Sequence, residues 1–535
     1  MTDRPERPAA DRPQRAKPEP AKPEPATTGP AATGQERAGA GPSGAGYPGA
    51  RPHTDGLPKT QPLTAAQMRQ NAAAKKMLRR LVQGENPPTA PLSIVDRLAG
   101  SPYANPTIQV GGVDTSARKT LDFALHLAET MFRYGAGALE VETSIIAVTA
   151  ALGLKNIEVD ITNQSVGINY APKDQTPIAL LRVVRSWTNN YAGLAKVHQL
   201  VTDIVAGGVG RDEAIRRLNE AITSPKPFPR WMVTVAFGIF AAAFVGVLGG
   251  GPVSSAIAFV ANIAISLLAR QLGRWRVPDF FITASCSFVV TQLALLLWQF
   301  GLTTSPAIVV VGGILLLLPT GRLVSSVQDA INGFPVTAAG RFLSTLLTFG
   351  AIVAGIAVAF VVGELTGMQR IDVTQTFPPA YDLWVLVILV AVAVMAIGIT
   401  EQTTWQLLLP TAAVGVAGYF VLLGGGLLGI GDRFSPALAA VVIGLLARVV
   451  ALRLGAPQLV VAVPAALILL PGLTIFRSMY VLTIEEAEIL LGAGGMLSAG
   501  AIVLGTAGGI VLGDTLARPL TRSLASNERR RARRR

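Results

Sequence analysis

Residues 231–249 read WMVTVAFGIFAAAFVGVLG, an apolar run without a single charged side chain. About 20 such residues in a helix cross the hydrocarbon core of a bilayer. Similar runs follow, and we assign ten, at 231–249, 253–272, 279–300, 304–320, 342–363, 382–400, 404–425, 435–453, 456–471 and 490–514. The sequence therefore predicts a mainly α-helical, polytopic membrane protein of about ten spans.

The distribution of charge predicts how these spans are oriented. The 535 residues carry a formal net charge of +13, but residues 231–517 hold only 10 basic and 11 acidic groups. If the segment before residue 231 is cytoplasmic, the inner loops hold Arg270, Arg274, Arg276, Arg322, Arg341, Arg448 and Arg453, whereas the outer loops hold Arg370, Arg433 and Arg477. Cytoplasmic loops are enriched in basic residues. We therefore expect a multi-pass protein of the lipid bilayer of a bacterial cytoplasmic membrane, with both termini in the cytoplasm.

The segments outside the spans differ strongly in composition. Residues 1–65 are rich in Pro and Ala, which predicts a disordered tail, and no signal-peptide pattern begins the chain. A basic helix and linker are expected at 66–113, and a basic cytoplasmic tail at 516–535. Residues 114–229 predict a small cytoplasmic α+β domain with a hairpin at 156–170 and helices at about 177–207 and 211–222. The net positive charge lies mostly in the short flanks, which argues against binding of nucleic acid.

Two short motifs indicate an internal repeat. Residues 315–320 read LLLLPT and residues 467–472 read LILLPG, and each motif closes a short span and precedes one long span. This spacing predicts two five-span repeats, 230–363 and 364–515. An odd number of spans places the second repeat in the opposite orientation to the first. Inverted repeats with Pro- or Gly-interrupted helices are typical of secondary transporters, in which substrate binds near the interruptions.

Over residues 114–515 the chain resembles the threonine/serine exporter family. The resemblance rests on GAGALEVE at 135–142, ALG at 151–153, the paired Leu-Pro breaks, and Asp329, Gly333 and Gly340-Arg341 after the first break. It implies a cytoplasmic N-terminal domain joined to ten spans, and export of threonine and serine driven by the proton-motive force. No GxxxxGK[ST] motif occurs, so an ion gradient or the gradient of the substrate itself must drive transport.

Several kinds of chemistry are not supported by the residues. The single cysteine, Cys286, and three scattered histidines predict neither a disulfide nor a metal site. No GxSxG nucleophile elbow is present, and we expect neither enzymatic activity nor a cofactor.

The candidate site residues follow from the chemistry of an amino-acid substrate. A zwitterion needs a cation or a helix N-terminus for its carboxylate, an anion or carbonyl for its ammonium group, and a polar partner for its hydroxyl. Near the breaks and the span ends we select Pro319, Thr320, Arg322, Asp329, Glu401, Pro471 and Gly472 as candidates for the substrate or ion pathway. Within the spans we add Asn262, Ser285, Thr291 and Gln292, for which hydrogen bonding between helices is an equally ordinary role.

The leading hypothesis is secondary export of threonine and serine by proton antiport, and the sequence leaves a homo-oligomer open. An exporter of a small dicarboxylate such as succinate is the alternative, because arginine-rich inner loops would also attract an anion. A membrane-anchored sensor or scaffold is a third hypothesis, which the paired breaks disfavour because an anchor needs no such repeat.

Overall fold

The computed structural model describes residues 115–172, 177–303, 306–368, 380–484 and 488–521. The predicted N-terminal tail, the predicted basic segment at 66–113 and most of the predicted C-terminal tail lie outside these residues. Within the described residues, a small α+β unit is followed by a large helical bundle.

The α+β unit contains four helices and one antiparallel sheet. Its elements are α1 (Thr115–Arg133), α2 (Ala138–Ala151), β1 (Ile157–Thr162), β2 (Ser165–Tyr170), β3 (Ile178–Val183), α3 (Tyr191–Val205) and α4 (Arg211–Thr223). The strand order is β1-β2-β3. The apolar residues of α1 recur three and four apart and are buried against α2, α3 and the sheet.

One expected helix in this unit is wrong. The sequence analysis predicted a helix from about 177 to 207, but Ile178–Val183 form β3, and α3 begins only at Tyr191. The side chain of Asn190 accepts a hydrogen bond from the Gly193 amide at 3.0 Å and so caps α3. The strand forms because β2 offers an unpaired edge, and pairing along that edge overrides the helical pattern.

The membrane part consists of twelve further helices in the described residues. They are α5 (Arg230–Val247), α6 (Pro252–Arg274), α7 (Asp279–Gln299), α8 (Pro306–Ile314), α9 (Thr320–Ile331), α10 (Pro335–Leu365), α11 (Leu383–Thr400), α12 (Trp405–Leu427), α13 (Ser435–Leu454), α14 (Leu459–Ala466), α15 (Gly472–Ile484) and α16 (Ile489–Leu520). A 3₁₀ turn extends α8 at Leu315–Leu317, and another extends α14 at Leu467–Leu469.

The described residues contain 8 helices long and apolar enough to cross a membrane, or up to 9 if the bent pair around Pro471 counts as one span. The two segments of that pair meet at 48°. This agrees with a polytopic membrane protein, while the number of ten spans stays a prediction, since α8 and α9 are each short.

The order of elements is the same in the two sets of membrane helices. Each set has three long helices, then a short helix that ends in a 3₁₀ turn, then a second short helix, then a helix of 31 or 32 residues. The third and sixth elements pack together in both sets, as α7 with α10 and as α13 with α16. Between the sets, α9 packs against α16 and α15 packs against α10. These two contacts are equivalent, because α9 corresponds to α15 and α10 corresponds to α16 in the order of elements.

Hydrogen bonds join the α+β unit to the ends of several membrane helices. The amide of Tyr191 donates to the Glu401 carbonyl at 3.1 Å, and the Gln402 side chain bonds both the amide and the carbonyl of Phe228. The Thr337 hydroxyl donates to the Ile161 carbonyl at 3.1 Å. The start of α10 and the end of α11 therefore lie on the same side of the bundle, next to the α+β unit.

Candidate functional site

A cavity of about 560 Å³ lies between the α+β unit and the membrane helices. Its wall combines the first helix break at 317–322, the polar start of α10, the end of α11 and one face of α14. The α+β unit covers it with Tyr134, Asn163, Trp187 and Tyr191. The wall mixes aromatic, hydroxyl, amide and charged groups, which suits a small polar ligand.

The first break is built by a proline between two short helices. Leu318 is extended, with φ −69° and ψ 127°, and Pro319 has ψ 60°, so the helix cannot continue through them. The helix α9 then begins at Thr320, whose amide donates back to the Leu318 carbonyl at 2.9 Å. Among the described residues, the amides of Gly321 and Arg322 find no acceptor, and both residues line the cavity. The first turn of a helix therefore presents donors and the positive end of its dipole at the cavity wall.

Glu401 lines the same cavity and lies directly after α11. Its side chain is partly exposed and lines the cavity. Desolvation raises the pKa of this carboxyl to about 7, although Lys226 and Arg322 act in the opposite direction. A carboxyl group with this pKa changes its charge near neutral pH. It can bind either a proton or a cationic group.

Asp329 and Arg341 form a buried ion pair that reaches into the α+β unit. One Arg341 nitrogen donates to the Asp329 carboxylate at 2.6 Å, and another donates to the Ala136 carbonyl at 3.1 Å. Asp329 accepts from the Ala138 amide, at the start of α2, at 2.7 Å. Arg341 is 4% exposed and Asp329 is fully buried. Asp329, which we selected as a pathway candidate, does not line the cavity but fixes Arg341, which does.

Aromatic rings complete the surroundings of the Arg341 guanidinium. Its central carbon lies 4.9 Å from the centroid of Phe132 and 5.1 Å from that of Trp187. Such contacts stabilise a cation that has lost its water. The guanidinium therefore joins α10 to α1, to the loop before α2 and to α9 at the edge of the cavity.

The second break has the same backbone pattern but different neighbours. Leu470 is extended, and the Gly472 amide donates to the Leu470 carbonyl at 2.9 Å. Gly472 packs against α8, where a Cβ atom would lie 2.7 Å from the Val311 side chain. Pro471 and Gly472 are absent from the cavity wall, although α14, which precedes them, contributes Leu459 and Val463.

The polar candidates within the spans do not line this cavity either. The Thr291 hydroxyl donates to the Ser287 carbonyl at 2.8 Å, and the Asn262 amide donates to the Ala258 carbonyl at 3.0 Å. Gln292 approaches the Met368 sulfur at 3.9 Å. Ser285 is partly buried on α7. The cavity thus brings together Pro319, Thr320, Arg322 and Glu401 from the predicted set, and leaves the others outside its wall.

The sequence analysis missed the residues that the α+β unit contributes. All of the predicted site residues lie in the membrane helices or at their ends. A usable signal was present, since Gly135 and Gly340-Arg341 belong to the motifs of the family resemblance, and all three residues line the cavity. Within the part of the chain that the structure describes, no group of three or more His, Cys, Asp or Glu could hold a metal ion.

Apolar helices that are long enough to span a bilayer, two interrupted helices, and a polar chamber at one of the interruptions define a membrane transport protein. A family model for threonine/serine exporters matches residues 122–363, and a second, described as "Threonine/Serine exporter, ThrE", matches residues 386–517. The chain belongs to the threonine/serine exporter family, whose members are transporters and not enzymes.

Individual relatives agree with this assignment. The chain is 32% identical to the "Probable threonine/serine exporter" of Mycobacterium tuberculosis over 77% of its own length and 79% of that protein. It is 29% identical to the "Threonine/serine exporter" of Corynebacterium glutamicum over 81% of its length and 89% of that protein. The chain is also similar to the "Probable succinate transporter subunit YjjP" of Escherichia coli. The identity is 24% over 241 residues, which are 44% of this chain and 92% of that protein. No solved structure matches the chain.

Proposed function

We propose that this protein exports threonine and serine from the bacterial cytoplasm in exchange for protons, and that the 560 Å³ cavity is the substrate chamber on the cytoplasmic side. The observation that carries the proposal is the meeting of a helix N-terminus, Arg322 and Glu401 in the lining of one cavity. Small-molecule pockets have volumes of about 300–1,000 Å³, so a threonine with accompanying water fits.

The charged groups of the wall suit the two ends of an amino acid. Glu401 offers a carboxylate to the substrate ammonium group. Arg322 and the first turn of α9 offer positive potential to the substrate carboxylate. Thr320, Ser325 and Ser344 supply hydroxyl groups near these positions for the substrate side chain.

Glu401 also provides a simple means of proton coupling. A carboxyl with a pKa of about 7 is protonated in about half of the molecules at neutral pH. Binding of an ammonium group favours the ionised form, and the proton leaves. Competition between the substrate and the proton for one carboxylate is sufficient for antiport.

An inverted 5+5 repeat provides the framework for alternating access in this proposal. The equal order of elements and the exchangeable contacts of α9 with α16 and α15 with α10 support it. The end of the first family match at residue 363 and the start of the second at residue 386 agree with repeats at 230–363 and 364–515. The arginines on the side of the α+β unit support a cytoplasmic position for both termini.

Uptake into everted membrane vesicles tests the proposal directly. With the vesicle interior acidic, radiolabelled threonine and serine should accumulate, and a protonophore should abolish accumulation. Glu401→Gln should abolish the response to the pH gradient. Asp382→Asn is the matched control, since Asp382 is an exposed carboxyl at the opposite end of the same helix. Threonine uptake that ignores the protonophore contradicts antiport.

A small dicarboxylate is the second candidate substrate. Arg133, Arg322 and Arg341 all line the cavity, and part of the chain is similar to a protein named as a succinate transporter subunit. The same vesicles supplied with radiolabelled succinate distinguish the two. Preferential uptake of succinate selects the dicarboxylate, whereas preferential uptake of threonine rejects it.

A further inference from the structure

Tyr191 of the α+β unit is held rigidly at the first helix break. Its amide donates to the Glu401 carbonyl at 3.1 Å, and its side chain is 7% exposed. Its ring lines the cavity, and its hydroxyl group makes no hydrogen bond with any of the described residues. The hydroxyl oxygen is not itself enclosed by protein, so on a side chain that is otherwise buried it opens to the cavity and can donate to a ligand there.

The hydroxyl of Tyr191 points at the start of α9. A Cβ atom placed on Gly321 would lie 3.2 Å from the Tyr191 oxygen. The neighbouring amides of Gly321 and Arg322 also lack acceptors among the described residues, and α9 is a 12-residue helix. Three hydrogen-bond donors from two different parts of the chain thus converge on one corner of the cavity.

The hydrogen-bond donors in this corner of the cavity favour binding of an anion. Burial, assisted by the nearby Glu401, raises the pKa of Tyr191 well above its ordinary value, so the phenol keeps its proton and donates. Backbone amides at a helix N-terminus are donors as well, and the helix dipole adds positive potential. Glu401 lines the same cavity, where it can hold the ammonium end of a zwitterion.

We propose that Tyr191 is a substrate-binding residue: its hydroxyl and the first-turn amides of α9 together bind the carboxylate of the transported amino acid. The inference rests on the proposed function, and it assigns to the α+β unit a direct part in recognition. The binding site is then incomplete without that unit. Gly321 has no side chain because any Cβ there would stand between the phenol and the carboxylate.

The test compares two probes that differ only in the group that the corner recognises. L-Threonine carries a carboxylate, and L-threoninol has a hydroxymethyl group in its place. Binding of each to the purified full-length protein in lipid nanodiscs is measured by calorimetry. Tyr191→Phe removes only the hydroxyl, and Tyr419→Phe is the matched control, since Tyr419 is equally buried in α12 but does not line the cavity.

Tyr191→Phe should weaken L-threonine binding about tenfold, the size expected for a hydrogen bond to a charged group, and leave L-threoninol binding unchanged. Gly321→Ala should have the same selective effect, whereas Gly350→Ala, with open space around it, should have none. Equal weakening for both probes, or no change for either, overturns the inference. A wild-type protein that binds neither threonine nor serine overturns the proposed function itself, so the two failures are distinguishable.

Discussion

The two helix breaks share their backbone geometry but differ in their surroundings. At both, a 3₁₀ turn, an extended leucine and a proline precede a new helix. The first break opens into a polar cavity, whereas the second is packed against the apolar side chains of α8. If the halves work alternately, the structure represents a state in which the first break is accessible and the second is closed. The α+β unit contributes part of the polar lining of the first break, including Asn163, Gln164 and Tyr191, and the second half has no counterpart to this unit among the described residues.

The largest effect is expected where the α+β unit is fixed beside the first break. Arg341→Ala leaves Asp329 buried and unpaired, which should destabilise the protein by about 3–5 kcal/mol. Denaturant unfolding and limited proteolysis of the α+β unit measure this. Arg433→Ala, at an exposed position on the far side, serves as the control.

Replacing both residues of the Asp329–Arg341 ion pair tests the same contribution to stability. Arg341→Met combined with Asp329→Leu removes both charges and should recover a large part of the lost stability, because no buried charge is left unpaired. A double variant as unstable as Arg341→Ala would show that the ion pair is not what holds the two parts together.

Substitution of alanine for the glycine that follows each break compares how tightly the two breaks are packed. Gly472→Ala places a Cβ 2.7 Å from Val311 and should cost about 1–3 kcal/mol by overpacking. In Gly321→Ala the new Cβ would lie 3.2 Å from the Tyr191 hydroxyl and 3.6 Å from Val463, and the substitution should cost less. Thermal unfolding of the two variants checks the order, and equal losses would contradict a closed second break.

Glu401 makes stability at the first break dependent on pH. Its pKa of about 7 exceeds the ordinary value of 4.5, so the folded state binds the proton more tightly than the unfolded state. Its contribution is therefore most favourable at pH 5 and declines as the pH rises through 7. Glu401→Gln should gain about 1–2 kcal/mol relative to the wild type between pH 5 and pH 8, a figure reduced for partial exposure.

Unfolding measured at both pH values provides the check, with Asp382→Asn as the control. The difference in free energy of unfolding between the wild type and Glu401→Gln should change over this range. A constant difference would contradict a shifted pKa of Glu401.

The smallest effect on stability is expected at the prolines themselves. Pro319→Ala and Pro471→Ala restore an amide without filling space, and each should change the free energy of unfolding by less than about 1 kcal/mol. The proposed alternating access uses both breaks, so both substitutions should nevertheless slow threonine flux. Unchanged flux in Pro471→Ala would remove the second break from the mechanism.

The apolar runs and the Leu-Pro motifs were sufficient to predict a polytopic helical protein and the positions of both breaks. Pro319, Thr320, Arg322 and Glu401 were found because charges and prolines near spans are costly. Tyr191, Trp187 and Asn163 were not found, since nothing local distinguishes them from ordinary residues of an α+β domain. The helix expected at 177–207 failed because sheet pairing is a long-range effect.

The sequence by itself determined that this is a polytopic helical membrane protein, where two of its helices break, and the family to which the protein belongs. Hydropathy and proline act locally, through the lipid core and the missing amide, and so they can be read along the chain. The tertiary structure decided which break faces a polar cavity, that Asp329 is an anchor and not a lining residue, and that the α+β unit completes the cavity. These depend on contacts between residues far apart in the chain, such as Arg341 with Ala136, which are 205 positions apart, and only folding brings such residues together.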